Sequence, residues 1–282
     1  MVAFAAGCAL CCAQDPSPAL RQADADYRAG VAAMARNDLK TAKQEFAEVV
    51  RLAPNIEQGH SALGAVLVRS GEMADGIREL QKAVAMNAKD TSAEQNLAMA
   101  LEADGQPARA LPWFARLEQA ARTDGHALPA ELLAAYARAL AATHQPAAAQ
   151  ARMKEAAEQS PGDAQLWDQL GTLEAQRQDW SEAESSFSRA LRLNPELAMA
   201  HLHLGLTLQA EQKPGALEEV RRADALAPRN PVILAQLAQL LVAGGDDREA
   251  IPLLREALAA NPGSASLEYP LGLALQRTGA VN

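Results

Sequence analysis

Five histidines, His60, His126, His144, His201 and His203, are the residues from which a metal centre or proton-transfer site would have to be built. Only His201 and His203 are near one another in sequence. Two residues apart on a helix, they point to different faces and cannot share an ion, whereas helical zinc ligands need a spacing of three or four. Cysteine offers no alternative, because Cys8, Cys11 and Cys12 all fall in the first dozen residues and none follows. That excludes a thiolate metal site or a disulfide from the folded part. No G-x-S-x-G, phosphate-loop or H-E-x-x-H pattern occurs. Ser181-Glu182 and Glu184-Ser185-Ser186 read as surface positions on helices, with Ser181 starting a helix and Glu184 completing a capping box. Glu218-Glu219 and Asp246-Asp247 read as solvated faces and helix N-termini. The expectation is a chain with no catalytic residue, no metal and no cofactor.

Composition points the same way. The formal charge is −9, and lysines and arginines are scattered among acids. A nucleic-acid binder would show a basic stripe, so DNA and RNA are discounted as partners. Alanine and glycine make up 82 of 282 residues, while aromatics are 4%. Such a core suits closely packed helices, and no segment alternates at period two for long. An all-α fold follows.

Residues 1–13, MVAFAAGCALCCA, are apolar and uncharged, and a polar, helix-breaking QDPSP comes next. This reads as the hydrophobic part of an export signal cleaved after Ala13, although a basic n-region is missing. Two alternatives stay open: a lipoprotein anchor at Cys8, after Ala5-Ala6-Gly7, and a stretch that is not a leader. Residues 14–22 read as a linker.

Self-similarity organises the rest. Gly30, Gly64, Ala98, Ala137, Gly171, Gly205, Ala238 and Gly272 are spaced by 34, 34, 39, 34, 34, 33 and 34 residues. Eleven or twelve residues further on stand Ala42, Gly76, Ala110, Ala149, Ala183, Ala216 and Ala250, all small. Four beyond these come Phe46, Leu80, Phe114, Met153, Phe187, Val220 and Leu254, all large and apolar. The small residues let two helix axes approach to about 8 Å. The large ones fill the space between one helix pair and the next. Polar turns such as Arg36-Asn37-Asp38, Ser70-Gly71-Glu72 and Gly244-Gly245-Asp246 split each pair. Pro54, Pro161, Pro195, Pro228 and Pro262 close most repeats by barring helix from the residue before them.

Trp167-x-x-Leu170-Gly171 followed by Ala183, Phe187, Ala190 and Pro195 resembles the tetratricopeptide repeat (TPR) signature. The resemblance covers about 90% of the chain. It implies an α-solenoid of helix-turn-helix hairpins wound as a right-handed superhelix, with repeats at 23–56, 57–90, 91–124, 130–163, 164–197, 198–230 and 231–264 and a partial eighth at 265–282. Residues 125–129 are an insertion, expected to alter the step at that joint or to lengthen the first helix of the fourth repeat. A shortened turn is expected around Lys213-Pro214-Gly215. The last helix lacks the polar outer face of a solenoid cap, so the chain reads as a fragment of a longer protein.

In this family the second, fifth, ninth and twelfth residues of each first helix line the concave groove. Here that implies Asp24, Tyr27, Gln58, Ser61, Gln95, Met99, Glu102, Glu131, Arg138, Gln165, Asp168 and Thr172, then Met199, Leu202, Leu206, Val232 and Ala235. The groove reads as polar first and apolar later. Tyr27, Gln58, Gln95, Met99, Arg138, Asp168, Met199, Leu202 and Leu206 are the candidate partner-binding residues. Met199, Leu202 and Leu206 form the primary docking patch, unless further repeats or a second copy cover it. No lysine falls in a first helix, so a carboxylate clamp for a partner's C-terminus is not expected. The implied role is a non-catalytic scaffold binding proteins or peptides, with no small-molecule substrate, exported to the periplasm or envelope of a bacterium. Two alternatives are a substrate-recruiting arm of a longer enzyme and an envelope-assembly or secretion accessory factor. A cytoplasmic location follows if the leader is not cleaved.

Overall fold

A computed structural model describes residues 17–280. The leader expected at 1–13 lies outside them. The described residues form fifteen α-helices and no strand. The chain divides into two compact units, one ending at Gln145 and one starting at Pro146. The first contains α1 (Pro18–Ala35), α2 (Leu39–Leu52), α3 (Glu57–Arg69), α4 (Met73–Met86), α5 (Thr91–Ala103), α6 (Pro107–Thr123) and α7 (Ala130–Ala142). The second contains α8 (Pro146–Gln159), α9 (Ala164–Gln176), α10 (Trp180–Leu193), α11 (Ala198–Ala210), α12 (Ala216–Leu226), α13 (Pro231–Gly244), α14 (Asp247–Ala260) and α15 (Ala265–Thr278). Within each unit, packing joins helices that are adjacent or next but one in sequence. The fold is therefore an all-α solenoid of hairpins, with no single centre.

The wedge pattern read from the sequence is the core. Phe46, Leu80, Phe114, Met153, Phe187, Val220 and Leu254 are each at most 3% exposed. Burying such a side chain is worth about 1.5–3 kcal/mol. The first helices make room for them. A Cβ added to Gly30 would stand 2.6 Å from the Phe46 ring, one on Gly171 2.7 Å from the Phe187 ring, and one on Gly205 2.6 Å from Val220. No real Cβ tolerates such contacts, so the wedge rests on bare backbone. At Gly64 and Gly205 the backbone crowds too, because an added Cβ would lie 2.9 Å from the carbonyl oxygens of Gly76 and Ala216 respectively.

A second device fixes where three of the hairpins start. His60, Trp167 and His201 occupy the same position in three repeats, and each ring reaches back to a closing proline. Trp167 Nε1 donates to the Pro161 carbonyl at 3.2 Å. His60 Nε2 lies 2.9 Å from the Pro54 carbonyl and His201 Nε2 3.1 Å from that of Pro195. Each ring has a partner on the following helix. His60 Nδ1 meets Glu79 at 2.5 Å, His201 Nδ1 meets Glu219 at 2.6 Å, and the Arg189 guanidinium lies 4.0 Å from the Trp167 ring centre. Burial raises the Glu79 carboxyl, but hydrogen bonds from Lys82 and His60 outweigh it and hold it below the usual range.

Several local expectations need correction. The stretch 14–22 is not all linker, because α1 begins at Pro18 with the Ser17 hydroxyl capping Leu20 N at 3.2 Å. A Ser-Pro pair suits the cap and first turn of a helix, and this outweighs the polar run around it. Ser181 does not start α10, which opens at Trp180 after Asp179 and has no side-chain cap bond. The insertion does not lengthen α7, which has the 13 residues of α3, α5, α9 and α11. Residues 125–129 lie in the connection before α7, and the preceding α6 is itself long, running 17 residues to Thr123. It ends before Gly125, whose φ of 73° breaks the helix. The short turn at Lys213-Pro214-Gly215 leaves α12 with 11 residues.

Two predictions follow from this packing. Gly64→Ala should lower stability by about 1–3 kcal/mol through overpacking. Gly272→Ala, with nothing within 4 Å of its added Cβ, should be neutral or stabilising by about 0.5–1 kcal/mol. Thermal melts followed by circular dichroism compare the two. The other concerns Glu174, which is 5% exposed and accepts a hydrogen bond from the Ser186 hydroxyl at 2.7 Å. Burial pushes its carboxyl above the usual range, and the bonds from Ser186 and Gln150 offset only part of that. The folded chain thus holds this proton more tightly than the unfolded one. The resulting stabilisation is complete below the ordinary carboxyl range and is lost as pH rises through the raised value. Glu174→Gln should melt above the unsubstituted chain near pH 7 and converge with it toward about pH 4.

Candidate functional site

The expected groove residues of the first unit are held by local bonds more than they are gathered into one pocket. Tyr27 is half-buried on α1, its ring 5.6 Å from that of Phe46. Burial, and then the Asp90 carboxylate, raise its hydroxyl above the ordinary range. It is thus in large part a packing residue. Gln58 is exposed at the start of α3 and donates to its neighbour Glu57 at 2.6 Å. Gln95 is exposed on α5, and Met99 is half-buried one turn on. Arg138 of α7 reaches Glu102 of α5 through Nε at 2.9 Å and Nη2 at 3.1 Å. This two-pronged pair crosses from one first helix to the next and occupies the guanidinium face a partner's carboxylate would need.

The second unit treats the apolar patch differently from expectation. Leu202 is 2% exposed and belongs to the core with Val220, Ile233 and Leu237. It cannot dock a partner. At the fifth position of α11 its side chain falls inward, among residues of α12 and α13. Met199 is 39% exposed and is the free end of the patch. Leu206 is half-buried and packs on the same core.

Leu206 also lines a slot between the first helices α9 and α11. The slot has a volume of about 310 Å³ and is walled by Thr172, Trp180, Phe187, His203, Leu206 and Ala210, among others. Its lining is chiefly apolar, with Gln176 at the rim. Asp168 and His203 tie α9 to α11 beside it, with His203 Nδ1 2.9 Å from Asp168 Oδ1. The His203 ring lies 5.4 Å from that of Phe187, tilted by 40°. His201 and His203 thus turn to different partners, Glu219 and Asp168.

Of the expected residues, then, the fold brings Leu206, with Thr172, to one slot, and Asp168 bonds to the His203 that walls it. Sequence reasoning missed Trp180, Phe187 and His203 as parts of it. Phe187 was recognisable only as a wedge. Trp180 carried a signal, because it stands where other repeats have Leu39, Met73 and Pro107. So large a ring has surplus surface at that place. Among the described residues no group of three histidine, cysteine or acidic side chains is arranged to hold a metal ion. No described helix is long and apolar enough to cross a membrane.

Comparison with known proteins places this geometry. One family model, described as tetratricopeptide repeat, matches residues 61–125 and 169–231, and a second with the same description matches 231–274. Cellulose synthase operon protein C of Xanthomonas axonopodis pv. citri is 30% identical over 237 residues, which is 79% of this chain. The chain spans only 16% of that relative's length. In the APC/C hetero-tetramer Cut9-Hcn1, the similar chain has a TM-score of 0.65 at 16% identity, over 85% of this chain and 46% of that one. YrrB, a TPR protein with an unusual peptide-binding site, has a TM-score of 0.59 at 18% identity, over 67% of this chain and 95% of its own. These structural likenesses concern the fold. With its repeats matched in sequence and stacked as hairpins, the chain belongs to the tetratricopeptide repeat family.

Proposed function

We propose that this chain is a non-catalytic scaffold that holds a segment of a partner protein, seating a bulky apolar side chain between α9 and α11. One observation carries the reading. A chiefly apolar slot of about 310 Å³ opens between two first helices whose spacing is fixed by the Asp168–His203 bond. Binding there needs no rearrangement of the frame, so little of the interaction energy is lost to ordering. The peptide-binding site of YrrB, on a similar fold, supports a peptide as the occupant.

The apolar stretch at residues 1–13 supports export. The similarity to Cellulose synthase operon protein C supports a place beside a polysaccharide-synthesising assembly at the cell envelope, as an assembly or secretion factor. A second reading, an arm that recruits substrates for a longer enzyme, is favoured by the relative's size, since this chain spans 16% of it.

A photo-crosslinking amino acid at Gln176, on the rim, tests the slot in the native host. It should yield defined protein adducts. Thr172→Arg, which fills the slot from a half-buried position, should reduce them at least about tenfold with helicity unchanged, as expected when an anchor side chain loses its pocket. Trp180→Ala provides a second variant that enlarges the slot instead of filling it. Adducts unaffected by both variants would refute the reading.

A further inference from the structure

We infer that the partner side chain seated between α9 and α11 is an aromatic one tipped with a hydrogen-bond donor, the indole of a tryptophan, and that His203 Nε2 selects it. The inference rests on the reading of this slot as a partner-binding site and adds what it takes. Three rings, those of Trp180, Phe187 and His203, wall a space of about 310 Å³. That is at the lower end for ligand pockets, which run to about 300–1,000 Å³, and it suits one large side chain better than a length of backbone. Aromatic rings gain from offset or edge-on contact with another ring beyond the area they bury. The walls therefore favour an aromatic occupant over an aliphatic one.

The polar atoms of the wall decide what that ring carries. Thr172 Oγ1 donates to the Asp168 carbonyl at 3.0 Å, and Thr207 Oγ1 donates to the His203 carbonyl at 2.8 Å. Both hydroxyl protons are spent within their own helices, so the two oxygens offer the slot only lone pairs. His203 adds a third acceptor. The Asp168 carboxylate can only accept, so the Nδ1 that faces it at 2.9 Å carries a proton. In the neutral ring Nε2 then holds a lone pair. No described residue bonds to Nε2, and it is not sealed from solvent. It lies on the edge of the ring away from Asp168, and Asp168 does not line the slot whereas His203 does. The other polar side chains of the lining are Trp180 and, at the rim, Gln176. Acceptors thus outnumber donors along the wall.

An aliphatic or phenyl anchor would strip water from Nε2 and return no bond, which leaves a buried acceptor unpaired. An indole restores that bond. Its single polar atom is a donor, and the rest of its surface is apolar like the slot.

NMR titration of the full chain, read at the Thr172 and Leu206 methyl signals, tests this. The probes are N-acetyl-tryptophanamide, the benzothienylalanine amide of the same shape with sulfur in place of the indole N–H, and N-acetyl-leucinamide. The tryptophan probe should shift both methyl signals. The benzothienyl probe should need about fivefold more for half-saturation, the worth of one net hydrogen bond. In His203→Phe, which keeps a ring against Phe187, the two should half-saturate at the same concentration. Equal binding of the two by the unsubstituted chain would overturn the inference, as would a fivefold gap that survives in His203→Phe or tighter binding of the leucine probe. Each of those outcomes leaves the slot standing as a binding site. If no probe moves either methyl signal, the slot reading and this inference fall together.

Discussion

A bulky side chain resting on a helix that has no side chain at that point is the contact on which the structure depends. Phe46 on Gly30, Leu80 on Gly64, Phe187 on Gly171 and Val220 on Gly205 are four instances of one arrangement. It brings two axes close and leaves no room for slippage, since a shift of one residue would set a Cβ against the wedge. Where alanine replaces glycine, at Ala98, Ala137 and Ala238, that residue is still wholly buried. The rings of His60, Trp167 and His201 tether three of the hairpins to the turns before them. Interior protein density makes both devices intolerant of small errors.

The frame delivers a row of first-helix side chains at fixed intervals, and chemistry is varied on that row. Glu102–Arg138 closes one step of it with an ion pair. Asp168–His203 closes another and leaves an apolar slot at its side. Further on, α13 and α15 border a chiefly apolar groove that has amides and hydroxyls but no charged side chain. One kind of hairpin thus presents surfaces of different chemistry, and a solenoid can change its ligand chemistry without altering its packing.

Much of the fold was legible because the repeat multiplies a weak signal. One Ala-x-x-x-Phe means little, but seven such pairs in register fix the hairpins, and all seven large residues are buried. The groove was less legible. Position counting named Asp168, Thr172 and Leu206 as groove residues without gathering them at one slot, and it placed Leu202 on the surface. The error has a physical source. Counting assigns the fifth position of every first helix to the groove, but the Leu202 side chain reaches the core it shares with Val220, Ile233 and Leu237, and Ala134, at the same position of α7, is buried too. The partners of charged groups were not legible either. Arg138 finds Glu102 and His203 finds Asp168 across 36 and 35 residues, and no local pattern records such a pairing. The helix start at Pro18 was hidden by polar residues whose composition suggested a loop, although Ser17-Pro18 carries the start signal.

Because every strong contact lies between helices adjacent or next but one in sequence, the order in which the chain is made is also an order in which it can fold. Each hairpin emerging from the ribosome finds its seat already built by the one before it, and no early segment has to wait for a distant strand. Low contact order of this kind favours rapid closure and shortens the time that the alanine-rich faces remain open to aggregation.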